Sequence, residues 1–266
     1  MQVATSTDKM RAHTLGAVGH LIFNNPEKRN AVSLEMWRAA DEILDGFERD
    51  DDVRVLVLSG AGSKSFVSGA DISEFGKERS TEEAVRHYNE RTAAVYARLE
   101  CFAKPTIAMI DGYCIGGGLN LATACDLRFC STKSSFAMPA ARLALGYPFH
   151  AIRRLASIVG IANARDLMFS ARRVASDEAH RMGLVQAVLG DDELESFVSD
   201  YANTVAANAP LTVGAMKFIS TQVVSDPGER DLERCAAMVA DCFASADYAE
   251  GRKAFAEKRK PVFKGR

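Results

Sequence analysis

Three consecutive glycines, Gly116-Gly117-Gly118, separate an apolar run from a helix-forming one, and no other feature of the chain restricts its fold as tightly. Pro105 to Ile110, reached from Lys104, reads as a buried strand, and a helix is predicted from about Leu119. Glycines in series cost backbone entropy, so they are kept where another group must approach the main chain closely. The N–H groups that open a helix have no acceptor within it, and the helix dipole there favours negative charge. The segment therefore makes either a tight structural turn or a cradle for a developing oxyanion.

The surrounding pattern alternates short β-type runs with longer helical ones. His20 to Phe23 reads as a strand ending at Asn24-Asn25-Pro26, and Leu34 to Phe47 as a helix capped by Ser33. Val53 to Leu58 is nearly all apolar, as in a strand covered on both faces. Glu82 to Cys101 reads as a helix, and Leu127 to Cys130 and Val185 to Leu189 as strands. This order predicts an α/β fold with a mainly parallel sheet. Asp192 to Asn208, Leu211 to Val223 and Arg230 to Lys260 are helical in pattern, so we expect a core over 1–200 and a helical region over 201–266. A segment that short seldom sustains a core alone, which predicts that it packs on the body or on a second subunit.

Composition removes several function classes. Of 266 residues, 47% are hydrophobic and 26% charged, which argues for a soluble globular chain rather than a disordered one. A net charge of -2 and a pI near 6.2 lack the basic character of nucleic-acid binders. No run approaches the roughly 18 apolar residues of a membrane span. The polar N-terminal stretch Met1 to Thr14 lacks a signal core. The six cysteines show no C-x-x-C pair and sit in or beside apolar runs, so reduced thiols and a cytoplasmic location are expected. The scattered histidines His13, His20, His87 and His180 lack metal-site spacing.

A second glycine-bearing turn follows the Val53–Leu58 run: Gly60-Ala61-Gly62-Ser63-Lys64-Ser65-Phe66-Val67-Ser68-Gly69-Ala70-Asp71-Ile72. Ser65 stands where a dinucleotide fingerprint needs its third glycine, and Ser63 where a P-loop needs glycine before lysine. A nucleotide-phosphate cradle is therefore disfavoured.

Together these segments resemble the crotonase superfamily of enoyl-CoA hydratases and isomerases along nearly the whole chain. The matching residues are Asn25 to Ala31, Gly69 to Ile72, Lys104-Pro105, Asp111-Gly112-Tyr113, the triple glycine, Ala124-Cys125-Asp126, Gly183-Leu184-Val185 and Glu257 to Gly265. The resemblance implies a spiral of repeated β-β-α units with a C-terminal helical segment. It implies that the N–H groups of Ala70 and Gly117 form an oxyanion hole for a thioester carbonyl. It places Gly69, Ala70, Asp71, Ile72 and Ser73 beside a bent coenzyme A, brings Arg29 to the phosphates, and closes Phe263 and Lys264 over the nucleotide, from the same or another subunit. Coenzyme A enters as part of the substrate, with no tightly bound cofactor and no metal. A homotrimer or hexamer is implied, and the partner is an acyl-CoA thioester, with neither nucleic acid nor membrane.

The chain departs from the hydratase pattern at both acids. Asn120 stands where one glutamate follows the triple glycine, and Ala140 stands where the other follows the proline of Phe136-Ala137-Met138-Pro139. An amide positions a water but accepts no proton at neutral pH, and alanine does neither. Losing two acid–base groups, each worth about 10² to 10⁴-fold, predicts a poor hydratase. Tyr147 and His150, in Arg142-Leu143-Ala144-Leu145-Gly146-Tyr147-Pro148-Phe149-His150, are candidate proton-transfer groups, and also read as ordinary packing residues. Arg142 is a candidate for holding a substrate carboxylate, and Glu74 and Glu78 are weaker acid candidates. Three readings follow: an enzyme using the hole on an unusual acyl-CoA, an acyl-CoA binder without turnover, and a hydratase working with non-standard groups.

Overall fold

In the computed structural model, residues 1–74 and 81–266 are described, apart from the side chain of Ile72; Glu78 lies outside them. The N-terminal stretch forms strands: β1 (Gln2–Val3) and β2 (Met10–Leu15) precede β3 (Val18–Phe23) in an antiparallel ladder. Helix α1 (Leu34–Arg49) starts where Ser33 Oγ accepts from Met36 N at 3.4 Å. It buries Met36, Trp37, Ala40, Ile43, Leu44 and Phe47, which recur at the helical period. Then come β4 (Val55–Gly60), β5 (Ser65–Val67), α2 (Glu82–Glu100), β6 (Thr106–Ile110), β7 (Tyr113–Ile115), α3 (Gly117–Ala124), β8 (Leu127–Ser131) and β9 (Ser135–Ala137). They are followed by α4 (Phe149–Ser170), β10 (Val174–Ala175), α5 (Ser176–Arg181), β11 (Ala187–Leu189), α6 (Leu194–Ala206), α7 (Pro210–Val224), α8 (Leu232–Ala244) and α9 (Ala246–Ala256).

The larger sheet has seven strands in the order β1-β2-β3-β4-β6-β8-β11, parallel from β3 onward. A smaller sheet orders β10-β9-β7-β5, with β5, β7 and β9 parallel. The expected α/β class is therefore present. Strand β4 is apolar throughout because both its faces are covered. Leu56 and Leu58 join the cluster holding Trp37, Phe47 and Leu99, while Val55 and Val57 meet Val198 and Ala202 of α6. Each such buried side chain contributes about 1.5–3 kcal/mol.

Two helical expectations change. Helix α3 begins at Gly117, not Leu119. The stretch 230–260 is two helices, because Ser245 leaves helical geometry and its Oγ accepts from Tyr248 N at 3.1 Å. Helix α4 carries non-helical φ/ψ at Gly160, which kinks it. Cys114, Cys125 and Cys130 are buried as expected, but Cys101 at the end of α2 is exposed. Among the described residues no helix is long and apolar enough to cross a membrane, and no group of side chains is arranged to hold a metal.

Helix α6 spans residue 200 and lies on the large sheet. Beyond it α7 buries only Ala215 and α8 buries nothing, leaving Val223, Val224, Leu232 and Phe243 exposed. The irregular C-terminal segment returns to the body. Asp247 accepts from Lys264 N and Gly265 N, both at 2.7 Å, and Arg54 donates to Phe263 O at 2.8 Å.

Candidate active site

The two glycine turns meet beyond the C-terminal ends of β4 and β6. On Gly69, at φ +109, an added Cβ would lie 3.2 Å from Ile115 O and 3.6 Å from Gly117 N. On Gly117 it would lie 3.6 Å from Gly69 Cα and 3.7 Å from Ala70 N. Positive φ and the close Ile115 O call for glycine at position 69, whereas a Cβ on Gly117 would meet only ordinary contacts apart from Tyr96 Oη at 3.2 Å.

The direction of both N–H groups follows from the bonds around them. Val32 N donates to Gly69 O at 2.9 Å and Asp71 N donates to Val32 O at 3.1 Å, forming a parallel bridge between Val32 and Ala70. In such a bridge the groups flanking Ala70 face Val32, so the N–H of Ala70 itself points away from it. Gly117 is the first residue of α3, where an N–H has no intrahelical acceptor and the dipole adds partial positive charge. Two such donors side by side suit an oxygen that gains negative charge.

The turn that carries Ala70 is anchored by Asp71. This buried carboxylate accepts from Lys28 Nζ at 2.9 Å, from Ser73 N at 3.1 Å and from Ser73 Oγ at 2.6 Å. Burial alone would raise its pKa, but Lys28 and Ser73 outweigh burial and hold it below the usual carboxylate range. Asp71 is thus committed to the turn. Lys28, which the sequence did not single out, also reaches Ser73 Oγ at 2.8 Å. Arg29 is exposed, at φ 54, with its guanidinium 5.3 Å above the ring of Tyr113.

Asn120 lies one turn after Gly117 in α3 and is 5% exposed. Ala140 follows Pro139, whose Cδ lies 3.8 Å from a Cβ built on Gly116, and Gly116 N donates to Ala137 O at 2.9 Å. Both acid positions therefore flank the paired turns, held there by the β7–β9 pairing. Tyr147 is half-buried against the main core, and burial pushes its phenol pKa up. His150 is exposed in the first turn of α4, edge-on to Phe149 at 5.7 Å. Arg142 is exposed and reaches Ser170 O at 3.5 Å. Glu74 is half-buried at the end of a short 3-10 turn, Ile72–Glu74.

Tyr96, on α2, is the contributor that sequence reading missed. Its hydroxyl donates to Gly117 O at 3.1 Å, and its ring packs edge-on to Trp37 at 5.3 Å. Burial, then the neighbouring phenols of Tyr147 and Tyr88, drive its pKa well up, so it stays protonated. Phe263 and Lys264 sit elsewhere in the same chain. Lys264 lines a cavity of about 420 Å³ with Arg54, Lys104, Pro105 and Pro210, at the opposite ends of β4 and β6 from the glycine turns.

The enoyl-CoA hydratase/isomerase family model matches residues 14–266. The short-chain-enoyl-CoA hydratase of Clostridium acetobutylicum is 35% identical over 249 residues, covering 92% of this chain and 93% of that protein. The peroxisomal Delta(3,5)-Delta(2,4)-dienoyl-CoA isomerase of Arabidopsis thaliana is 35% identical over 275 residues, covering 99% and 98%. Among solved structures, an enoyl-CoA hydratase/isomerase family protein from Hyphomonas neptunium superposes with a TM-score of 0.92 at 31% identity, covering 99% of this chain and 100% of that one. The fold, the paired glycine turns and these matches agree, and the chain belongs to the enoyl-CoA hydratase/isomerase family of the crotonase superfamily.

Proposed function

We propose that the protein binds an acyl-CoA thioester with its carbonyl oxygen between the N–H groups of Ala70 and Gly117. The hole stabilises an oxyanion or enolate, and hydration of a simple enoyl thioester is slow. The approach of Ala70 N to Gly117 carries this reading. Isomerisation, decarboxylation, hydrolysis and carbon–carbon cleavage all draw on such a hole. Asn120 and Ala140 supply no acid or base for hydration. The same two residues favour a second reading, an acyl-CoA binder with little turnover; a hydratase using Tyr147 or His150 is the third.

Gly69, Asp71, Ile72 and Arg29 border the coenzyme A in this reading. Because Phe263 and Lys264 lie at the far ends of β4 and β6, they serve a site only as part of a neighbouring subunit. The exposed apolar residues on α7 and α8 support a homotrimer or hexamer assembled through the 201–266 region. The free thiols suit a reducing cytoplasm.

Calorimetric titration with butyryl-CoA and crotonyl-CoA against free coenzyme A tests binding, and crotonyl-CoA absorbance at high enzyme concentration tests hydration. Thioester binding with slow hydration supports the proposal. Undetectable binding of every thioester overturns it, and an ordinary hydratase rate overturns the reading of Asn120 and Ala140.

A further inference from the structure

Arg128 and Arg154 are both buried arginines, and the fold uses them differently. Arg128 donates from Nε to Leu184 O at 2.7 Å and from Nη1 to Cys125 O at 2.7 Å and Ala122 O at 3.4 Å, which closes the end of α3. Arg154, on α4 and 7% exposed, has one acid partner among the described residues: Nη1 donates to Glu100 Oε2 at 2.7 Å. Its Nε–H has no partner among the described residues. A buried donor left unpaired costs stability, so hydrogen bonding alone does not account for this guanidinium.

Its place beside the glycine turns does. Tyr96 and Glu100 stand four residues apart on one face of α2. Arg154 lies across that face, with Nη1 at Glu100 and Cζ 5.8 Å from the centre of the Tyr96 ring, within cation–π range. The hydroxyl of the same ring donates to Gly117 O at 3.1 Å. A Cβ built on Gly117 would lie 3.2 Å from that hydroxyl and 3.7 Å from Ala70 N. The guanidinium therefore stands one aromatic ring behind the paired N–H groups.

The ion pair does not cancel there. The Glu100 side chain is 37% exposed, so water screens the carboxylate more than the buried guanidinium. Asp126, the next carboxylate along the cavity that Glu100 and Arg154 line, is neutralised by Lys217 at 2.8 Å. What remains is a positive field, fixed before any ligand arrives, on the side where an oxyanion would form.

We propose that Arg154 is a positioning residue that acts through Tyr96, adding the field of a buried cation to the Ala70–Gly117 hole. This rests on the acyl-CoA reading and adds a residue to it.

The test is the infrared carbonyl stretch of butyryl-CoA labelled with carbon-13 at the carbonyl and bound to the full-length protein, with calorimetry to show that the site is filled. Arg154→Met should reduce the downshift of the wild type, and Arg154→Lys, which keeps the charge, should retain most of it. Glu100→Gln should lower the melting temperature, because it breaks the same pair. It should nevertheless deepen the downshift, because it removes the charge that opposes Arg154. A merely structural role moves both variants the same way, so the opposite signs identify the field. If Arg154→Met does not fold, Glu100→Gln and Arg154→Lys carry the comparison. A downshift that Arg154→Met leaves intact, or that Glu100→Gln fails to deepen, overturns the proposal and leaves the acyl-CoA reading standing. Wild-type protein that binds no butyryl-CoA, or binds it with no downshift, overturns that reading and the proposal with it.

Discussion

Tyr96 Oη donates to Gly117 O at 3.1 Å, so the preceding helix α2 braces the residue whose N–H opens α3. Tyr96→Phe keeps the ring against Trp37 and removes the brace. A lost buried hydrogen bond predicts a stability decrease of about 1 kcal/mol, read from the denaturant midpoint. Thioester affinity should fall several-fold while affinity for free coenzyme A is unchanged. A parallel loss of both affinities would mean that Tyr96 supports the fold generally rather than the hole.

Gly117 and Gly118 should respond differently to alanine. A Cβ on Gly118 would lie 2.0 Å from Val67 O, inside backbone that cannot yield. Gly118→Ala should therefore cost at least the upper part of the roughly 1–3 kcal/mol of an overpacked core and lower the melting temperature sharply. A Cβ on Gly117 finds its tightest neighbour, Tyr96 Oη, at 3.2 Å and crowds the gap toward Ala70 N. Gly117→Ala should fold and bind the thioester several-fold more weakly. Equal melting temperatures for the two variants would contradict this packing.

Replacing Asn120 and Ala140 together by glutamate returns both acids to positions that flank the paired turns. Hydration of crotonyl-CoA, followed by absorbance, should rise by at least about 10²-fold. A double variant that binds the thioester and stays inert would contradict the explanation of slow hydration by the missing acids.

His13 and His20 pair across β2 and β3 with rings stacked at 4.7 Å. Burial, and then the charge of His13, lower the His20 pKa to about 4 from its ordinary 6.5. The folded state therefore binds fewer protons than the unfolded one between those values, so stability declines as pH falls from about 6.5 toward 4. Melting temperatures at pH 7.5 and 5 should differ less in His20→Gln than in the wild type. An identical difference in both would show that other groups set the slope.

The buried strands and the Ser33 cap were legible because continuous apolar runs and cap chemistry are local signals. Strand β2 was not: Met10-Arg11-Ala12-His13-Thr14-Leu15 has too few apolar residues, and pairing with β3 decides its state. The break between α8 and α9 left only a serine cap between two helix-forming stretches. Within the site, glycine density and family resemblance pointed to Ala70 and Gly117. Tyr96 was hidden, because a tyrosine on the apolar side of a helix reads as core. Its bond to Gly117 exists only once α2 lies against α3. Phe263 and Lys264 show the reverse limit, since a motif position does not say which subunit's site it serves.

The central claim is that Ala70 and Gly117 polarise a thioester carbonyl, and isotope-edited infrared spectroscopy of butyryl-CoA labelled with carbon-13 at the carbonyl reads that directly. Two N–H donors should shift the carbonyl stretch of the bound thioester to lower frequency than in water, and Gly117→Ala should lose the shift. A thioester that binds with its carbonyl frequency unchanged from solution would contradict the oxyanion hole.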